Sequence, residues 1–318
     1  MISDRPDDQA FAESIATTAG LSLHHVKGAA EGAEFISQEE PAIILADVSS
    51  KQLYEKLENA VQEAVGLFSD KINANAIHFL NSEDMGRAAF LVESPLFGHF
   101  ILRNYKNPVE AGEHYGRIVR AQHEEKAFGL AHLIHKTAKV QTVKLQKSTQ
   151  KQDAVEAVRN FLLTAKFQAR MATVIANAVD ELLMNAIYDA PVDDLGKPLL
   201  TSTPRSTLIN LEGRHAVEMQ VGFDGKYVAI TVVDLFGSLD KVKLLSHVSK
   251  MYTEEEYKVK TSVAGAGIGL ATVFRSGGSL LFISESRVRT EVTVLFRRTD
   301  NFREFKDQFR FLSTQFYF

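Results

Sequence analysis

The most informative stretch of this chain reads Ala178-Val179-Asp180-Glu181-Leu182-Leu183-Met184-Asn185-Ala186. It belongs to residues 167–188, where apolar side chains recur on most faces of a predicted helix, and a helix of that kind is buried. Glu181 and Asn185 are four residues apart and therefore lie on the same face, one turn apart. The sequence thus predicts a buried helix that carries a carboxylate and an amide side by side.

Two later motifs give this helix a context. Asp234 ends an apolar, alternating run that is typical of a β-strand. Further along, the chain reads Gly265-Ala266-Gly267-Ile268-Gly269-Leu270. Glycines at this spacing let backbone N–H groups approach phosphate oxygens, most favourably where a helix begins. Each motif alone is also compatible with an ordinary structural role, whereas the three in this order indicate a nucleotide pocket.

The composition limits the classes of protein that are possible. A chain of 318 residues with 45% hydrophobic residues can bury a large core and is long enough for two domains. Its net charge of −4, with both signs interspersed, gives no support for nucleic-acid binding. The absence of cysteine excludes disulfides, thiol catalysis and thiolate zinc sites. Because no run approaches the roughly 20 apolar residues of a membrane span and no signal-peptide core is visible, we expect a cytoplasmic protein without membrane contact.

Helical and strand-like patterns alternate over residues 1–125. Periodic apolar residues predict helices over 8–18, 53–67 and 108–121, with a further helical piece that ends near residue 92. Short apolar runs predict strands over 42–46, 76–80 and 97–102. Such alternation with short connections predicts an α/β domain, in which helices flank a parallel sheet of the flavodoxin-like kind.

Residues 126–139 are predicted to be a linker, and residues 140–298 a second domain. Its predicted elements are a strand over 141–145, two long helices from residue 153 onward and a polar inserted loop over 191–214. Two hairpins follow, 217–221 with 227–233 through the type I′ turn signal Asp224-Gly225, and 279–284 with 291–296. This pattern predicts an α+β fold with helices on one face of a mixed, mostly antiparallel sheet.

The C-terminal segment, residues 299–318, has apolar residues at helical spacing after Asp300, a predicted N-cap: Phe302, Phe305, Phe309 and Leu312. We expect an amphipathic helix. Its apolar face is compatible both with packing on its own domain and with a partner surface.

With these motifs in this order, residues 140–298 resemble the histidine-kinase-like (GHKL) ATPase domain, also called the Bergerat fold, and most of all the bacterial anti-sigma-factor serine kinases. The resemblance implies ATP and Mg²⁺ as cofactors. Asn185 would supply an oxygen to Mg²⁺, Glu181 would orient or deprotonate the attacking hydroxyl or water, and Asp234 would accept a hydrogen bond from the adenine amino group. Further implied nucleotide contacts are Gly237, Gly265, Gly267, Gly269, Leu270 and Thr290, and residues 240–263 would form a lid.

One departure from the family pattern concerns Phe236. The family motif is usually DxGxG, whereas this chain has Asp234-Leu235-Phe236-Gly237-Ser238. Because Phe236 replaces a glycine that lets the chain pass close to adenine, we expect the pocket wall to be remodelled there.

The N-terminal domain resembles a response-regulator receiver domain. Asp47, at the end of a predicted strand, matches the phosphoacceptor, and Asp4 matches one acidic position that binds Mg²⁺. Asn81 stands where the family has Thr or Ser, and Arg103 stands where it has Lys. We therefore interpret the domain as a degenerate receiver in which Arg103 pairs permanently with Asp47 and mimics an activated state. The alternative is an unrelated flavodoxin-like domain that carries an aspartate at this position by chance.

Together these resemblances imply a signal-transduction protein of a two-component-like pathway. The first hypothesis is a Mg²⁺-dependent protein serine/threonine kinase or ATPase of the anti-sigma-kinase type, acting on a signalling protein as partner. The alternative is a nucleotide-gated interaction module or scaffold without turnover, and a homodimer is compatible with both. A hybrid histidine kinase is disfavoured, because the segment between Ala111 and Val140 is too short for its two long dimerisation helices.

Overall fold

The computed structural model describes residues 1–66, 72–124, 128–253, 273–274 and 276–318. These residues form an α/β fold in which parallel and antiparallel strands are combined with helices. The chain divides into two compact units. The first consists of Met1–Ala127 with Phe311–Thr314, and the second of Phe128–Arg310 with Gln315–Phe318. Within the described ranges, no helix is both long and apolar enough to span a bilayer.

The first unit is built on parallel strands, as predicted. Strands β1 (Ile44–Asp47), β2 (Ile77–Asn81) and β3 (His99–Leu102) pair side by side in this order. Isolated parallel bridges join Ile2 to Ala46 and Ile2 to Val26, so the order across the unit is Val26, Ile2, β1, β2, β3. On the other edge, residues 311–314 pair antiparallel with β3, where His99 lies opposite Ser313.

The first unit contains four helices, whose ends or packing partners can be identified. Helix α1 (Pro6–Ala19) begins with proline and ends at Gly20, which has a φ of 72°. Helix α2 spans Ala29–Glu39. Ser50 caps α3 (Lys51–Val65), and Asn107 caps α4 (Pro108–His123). Helix α1 packs against α4, and α2 packs against α3. The predictions of α1, α3 and α4 are confirmed, whereas α2 was not predicted.

The second unit contains an antiparallel sheet with the order β7-β8-β6-β5-β4. Its strands are β4 (Lys139–Leu145), β5 (Val217–Phe223), β6 (Tyr227–Asp234), β7 (Ser279–Glu285) and β8 (Arg289–Arg297). Its helices are α5 (Lys151–Thr164), α6 (Ala169–Met184), α7 (Lys241–Thr253) and the short α8 (Phe302–Lys306). Helix α6 packs on β6 and α5 packs on α6. Both predicted hairpins are confirmed.

The turn between β5 and β6 differs from the prediction. Gly225 has a φ of 92°, but neither Asp224 nor Lys226 has a positive φ, so the turn is not of type I′. The Asp224 carboxylate instead accepts hydrogen bonds from the backbone N–H groups of Lys226 (2.9 Å) and Tyr227 (2.6 Å). This side-chain bond fixes the turn without a second left-handed residue.

The prediction of one amphipathic helix through Leu312 was wrong. Helix α8 ends at Lys306, its N-cap is Asn301 and not Asp300, and strand β9 (Phe311–Tyr317) follows. The Thr314 N–H donates to the Gly98 carbonyl oxygen at 3.0 Å, and this pairing within the first unit outweighs the helical spacing of the apolar residues.

Candidate functional site

The second unit contains a cavity of about 320 Å³. Its polar lining residues come from distant parts of the chain: Asn185, Asp189, Asp234, Ser238, Asp240, Lys243 and Thr290. Its apolar lining includes Leu182, Val232, Leu244, Val248, Phe282 and Val292. An apolar cavity with a few convergent polar groups is typical of a small-molecule site. Asn185, Asp234 and Thr290, which the sequence predicted to share a pocket, do line one cavity.

Asp234 is the last residue of β6, and β8 places Thr290 directly opposite it. Both residues are buried. The Asp234 carboxylate accepts a hydrogen bond from the backbone N–H of Phe236 at 2.9 Å, and further ones from the Gly237 backbone and the Thr290 side chain. Burial nevertheless raises the pKa of Asp234 to about 6, because these donors offset only part of the desolvation. At neutral pH, Asp234 is therefore a buried carboxylate that favours a ligand with N–H donors.

Asn185 lies at a local change in helix geometry. Helix α6 ends at Met184, and Asn185–Asp189 forms a π-helical turn, whereas the sequence predicted a continuous helix to residue 188. Such turns are frequent at functional sites. Within the described part of the chain, Asn185 Oδ1 and Asp189 Oδ2 are buried oxygens without a hydrogen-bond partner. Two such oxygens in the lining of one cavity fit an oxygen-seeking cation such as Mg²⁺, or a ligand hydroxyl.

Asp189 was not predicted as a site residue. Its carboxylate lies 3.3 Å from the Arg205 guanidinium, which stacks over the Tyr188 ring at 4.4 Å. The Tyr188 hydroxyl donates to the Arg205 carbonyl oxygen at 2.9 Å, which fastens the predicted inserted loop to the π-helical turn. Burial raises the pKa of Asp189, and Arg205 opposes this effect. The spacing of four residues between Asn185 and Asp189 is the sequence signal that could have identified Asp189.

Glu181 lies one turn before Asn185, but it is not among the described residues that line the cavity. Burial, and then the charge of Asp180, raise the pKa of Glu181, while Lys151 and Arg205 act in the opposite direction. Asp180 itself forms an ion pair with Lys151. A raised pKa suits a general base at neutral pH, and this role of Glu181 stays a prediction.

Phe236 does not contribute to the cavity lining that the described residues form. Its buried ring packs edge-on against His215 at 5.2 Å, and the Arg214 guanidinium lies 5.0 Å from its centre. Gly237 follows with a φ of 57°, and a Cβ atom there would lie 2.0 Å from the Glu285 carbonyl oxygen. A glycine is therefore required at residue 237, and the phenylalanine side chain is accommodated away from the cavity.

The predicted nucleotide contacts of the glycine-rich motif, Gly265, Gly267, Gly269 and Leu270, lie outside the described residues. The same holds for residues 254–263 of the predicted lid. The first part of that lid is helix α7, from which Leu244 and Val248 line the cavity.

A second polar cluster lies in the first unit, where the parallel strands have their carboxyl ends. Asp47 ends β1, Asn81 ends β2 and Arg103 follows β3. The Arg103 guanidinium lies 3.0 Å from the Asp47 carboxylate and 2.5 Å from that of Asp8, which is fully buried. Arg5 also approaches Asp47, at 3.4 Å. The predicted pairing of Arg103 with Asp47 is thus present, but the second carboxylate of the cluster is Asp8.

The environments of Asp4 and Asn81 differ from those that the resemblance to receiver domains implied. Asp4 is exposed. The Asn81 amide donates to the Val48 carbonyl oxygen, and its oxygen accepts from the Glu83 N–H, both at 2.8 Å. Asn81 therefore holds two loop segments together. Within the described ranges, no group of three or more His, Asp or Glu side chains could hold a metal ion.

Hydrogen bonds dominate the electrostatics around Asp8. Burial alone would raise the pKa of Asp8, but donors from Arg103, Ser3 and Tyr105 together lower it. Ser3 Oγ donates at 2.6 Å and the Tyr105 hydroxyl at 2.8 Å. Asp8 is consequently an ionised, fully enclosed partner of Arg103. No local pattern predicts this burial, because an aspartate in the first turn of a helix commonly faces solvent and interacts with the helix dipole.

Comparison with known proteins does not identify a family for this chain. No protein-family model matches it, and no curated protein matches its sequence.

Proposed function

We propose that the second unit binds ATP together with Mg²⁺ in the cavity around Asp234. The observation that carries this proposal is the Asp234–Thr290 pair in the lining of the same cavity as the unpartnered Asn185 Oδ1. A buried carboxylate selects a ligand edge with N–H donors, and an amide oxygen suits a hard cation. The order of the motifs in the sequence supports an ATPase domain of the histidine-kinase-like fold.

In this proposal the roles of the residues follow from their chemistry. Asp234 accepts a hydrogen bond from the adenine amino group, while Thr290 holds the carboxylate in place. Asn185 would hold Mg²⁺, which when bound neutralises charge on the phosphate oxygens. Glu181, with its raised pKa, would take the proton of the attacking hydroxyl.

We infer further that the first unit is a receiver-like regulatory domain. Its strand order, with Val26 and Ile2 preceding β1, β2 and β3, agrees with the flavodoxin-like order 2-1-3-4-5. Asp47 stands at the carboxyl ends of the strands, where ligands bind in such folds. Because Arg103 forms ion pairs with both Asp47 and Asp8, a fixed state independent of phosphorylation is the form that this geometry supports best.

The whole protein is accordingly proposed to be a cytoplasmic signalling protein with kinase activity toward a protein partner. A second candidate function is a nucleotide-gated interaction module without turnover. The absence of Glu181 from the cavity lining of the described residues favours it. The variant Glu181→Gln separates the two, since it should abolish phosphoryl transfer by a kinase and leave a pure binding module unchanged.

Calorimetric titration with a non-hydrolysable ATP analogue and Mg²⁺ tests the binding proposal directly. We expect saturable binding that Asp234→Asn abolishes, because the amide would present a donor to the adenine amino group. Asp224→Asn, a carboxylate of the same unit outside the cavity lining, is the matched control. Undiminished binding in Asp234→Asn, or no binding to the unaltered protein at millimolar ligand, would contradict the proposal.

A further inference from the structure

A second concave surface of the second unit is strongly basic. Arg170 from the start of α6 and four residues at and after α8, Arg303, Lys306, Asp307 and Arg310, line it together with Phe302. We call this surface the basic cleft. Four cations and one carboxylate give it a local charge of about +3, although the chain as a whole has a net charge of −4. It shares no lining residue with the cavity around Asp234.

Three of the four cationic groups of the basic cleft lie near aromatic rings. The Arg170 guanidinium lies 4.0 Å from the centre of the Phe302 ring, and the Lys306 ammonium lies 6.0 Å from the same centre. The Arg310 guanidinium lies 5.3 Å from the Phe274 ring and donates to the Lys306 carbonyl oxygen at 3.1 Å. Stacking on a ring face orients a guanidinium and leaves its edge N–H groups available for a ligand.

Three of the four cations of the basic cleft are not balanced by ion pairs with the described residues. In the part of the chain that the structure describes, no carboxylate forms an ion pair with Arg170, Arg303 or Lys306. Arg303 and Lys306 are three residues apart in α8, and like charges at that spacing destabilise a helix. Arg170 lies in the first turn of α6, where the helix dipole disfavours a cation. The like-charge spacing in α8 and the cation in the first turn of α6 both cost stability, and a bound anion would relieve both.

The chemistry of the basic cleft favours phosphate groups over carboxylates. A carboxylate carries one negative charge on two oxygens, whereas a phosphate ester carries nearly two negative charges on three terminal oxygens, so a phosphate can balance more guanidinium charge in the same space. A phosphate ester carries about −1.5 to −2 charges, so two adjacent phosphates balance the local charge of about +3 that the four cations and Asp307 give together. We propose that the basic cleft binds a compact anion with two or more phosphate groups, at a site separate from the nucleotide cavity.

Calorimetric titration of the full chain with inorganic tripolyphosphate tests this proposal. We expect binding that weakens as ionic strength rises, and that Arg303→Gln weakens about tenfold, the value of one charge-assisted hydrogen bond. Arg303 is exposed, so its substitution should not disturb folding. Asp307→Asn removes the one carboxylate of the lining and should tighten binding.

Two matched controls locate the effect. Arg159→Gln makes the same charge change on α5, where Arg159 pairs with Glu156, and should leave tripolyphosphate binding unchanged. Asp234→Asn should likewise leave it unchanged, because Asp234 belongs to the other cavity. Equal losses in Arg303→Gln and Arg159→Gln, or no binding at all, would overturn the proposal. A glutamate peptide or an oligonucleotide that binds as tightly, with the same dependence on Arg303, would overturn the assignment to a compact phosphate anion.

Discussion

Replacing Arg103 with methionine should reveal how strongly the first unit depends on one buried cation. The Arg103 side chain is 6% exposed and that of Asp8 is 0% exposed, so the substitution leaves Asp8 enclosed without its counter-charge. Removal of one partner from a buried ion pair typically costs about 3–5 kcal/mol, a large part of the 5–15 kcal/mol that stabilises a typical domain. Denaturant unfolding followed by circular dichroism at neutral pH measures this loss.

The pH dependence provides an independent check on the cause. In the native protein the pKa of Asp8 is lowered, so its pairing stabilises the fold above the ordinary pKa of an aspartate, and this contribution is lost as the pH falls below it. In Arg103→Met, burial is no longer opposed by the guanidinium and raises the pKa of Asp8. The difference between the two proteins should therefore be largest at neutral pH and shrink as the pH falls.

Two further variants decide whether the reasoning holds. Arg87→Met makes the same chemical change at an exposed i,i+4 pair with Glu83, and such pairs are worth only about 0.3–0.5 kcal/mol. The double variant Arg103→Met/Asp8→Asn should recover much of the lost stability, because the fully enclosed charge of Asp8 is removed and Asp47 keeps Arg5 as a partner. A loss in Arg103→Met no larger than that in Arg87→Met, or no recovery in the double variant, would refute the argument.

Three other outcomes are expected. First, affinity for the ATP analogue should fall about tenfold between pH 7 and pH 5, because the pKa of Asp234 is about 6 and only its ionised form accepts a hydrogen bond from the adenine amino group. Calorimetry over this pH range measures the affinity, and an affinity that does not change with pH would exclude Asp234 as the acceptor. Second, Phe236→Gly should lower the free energy of unfolding by about 3–5 kcal/mol, measured by thermal unfolding, without improving nucleotide affinity, because the ring is buried outside the cavity lining. Tighter nucleotide binding by this variant would show that Phe236 obstructs the site. Third, burial and the neighbouring His99 lower the pKa of His78. The neutral His78 therefore stabilises the fold above pH 6.5, and the free energy of unfolding should decrease by up to about 1.4 kcal/mol for each pH unit below that value. Denaturant unfolding of His78→Gln, beside the exposed His123→Gln, should show a smaller acid-induced loss in the first variant only.

Local patterns predicted much of the secondary structure. The hairpins of the second unit were predictable because alternation and turn chemistry are encoded within a few residues. Helix α6 was predictable for the same reason, since its apolar periodicity extends over many turns. Helix α2 was not predicted: its interior contains Gly32, a residue type that disfavours helices, and only Gly32 and Ala33 of its eleven residues are buried.

The residues that escaped prediction depend on contacts between distant parts of the chain. Asp8 is buried because Arg103, 95 residues away, supplies its counter-charge. Arg205 reaches Asp189 only because the inserted loop folds back on the π-helical turn. Neither ion pair can be predicted from the periodicity of apolar residues along the sequence. The meeting of Asp234 with Thr290 was predicted through the family resemblance, and the register of β6 and β8 explains it physically.

The pairing of residues 311–314 with β3 has a consequence for how the protein is made. His99 bonds to Ser313, which lies 214 residues further along the chain. At a translation rate of about 5–20 residues per second, the ribosome needs on the order of 10–40 s to deliver the missing strand after β3 has been synthesised. During that interval β3 presents an unpaired edge, the kind of surface on which nascent chains aggregate. The first unit can therefore begin to form early but can be completed only after residues 311–314 have been synthesised, and its open edge is a surface on which a chaperone could act during that interval.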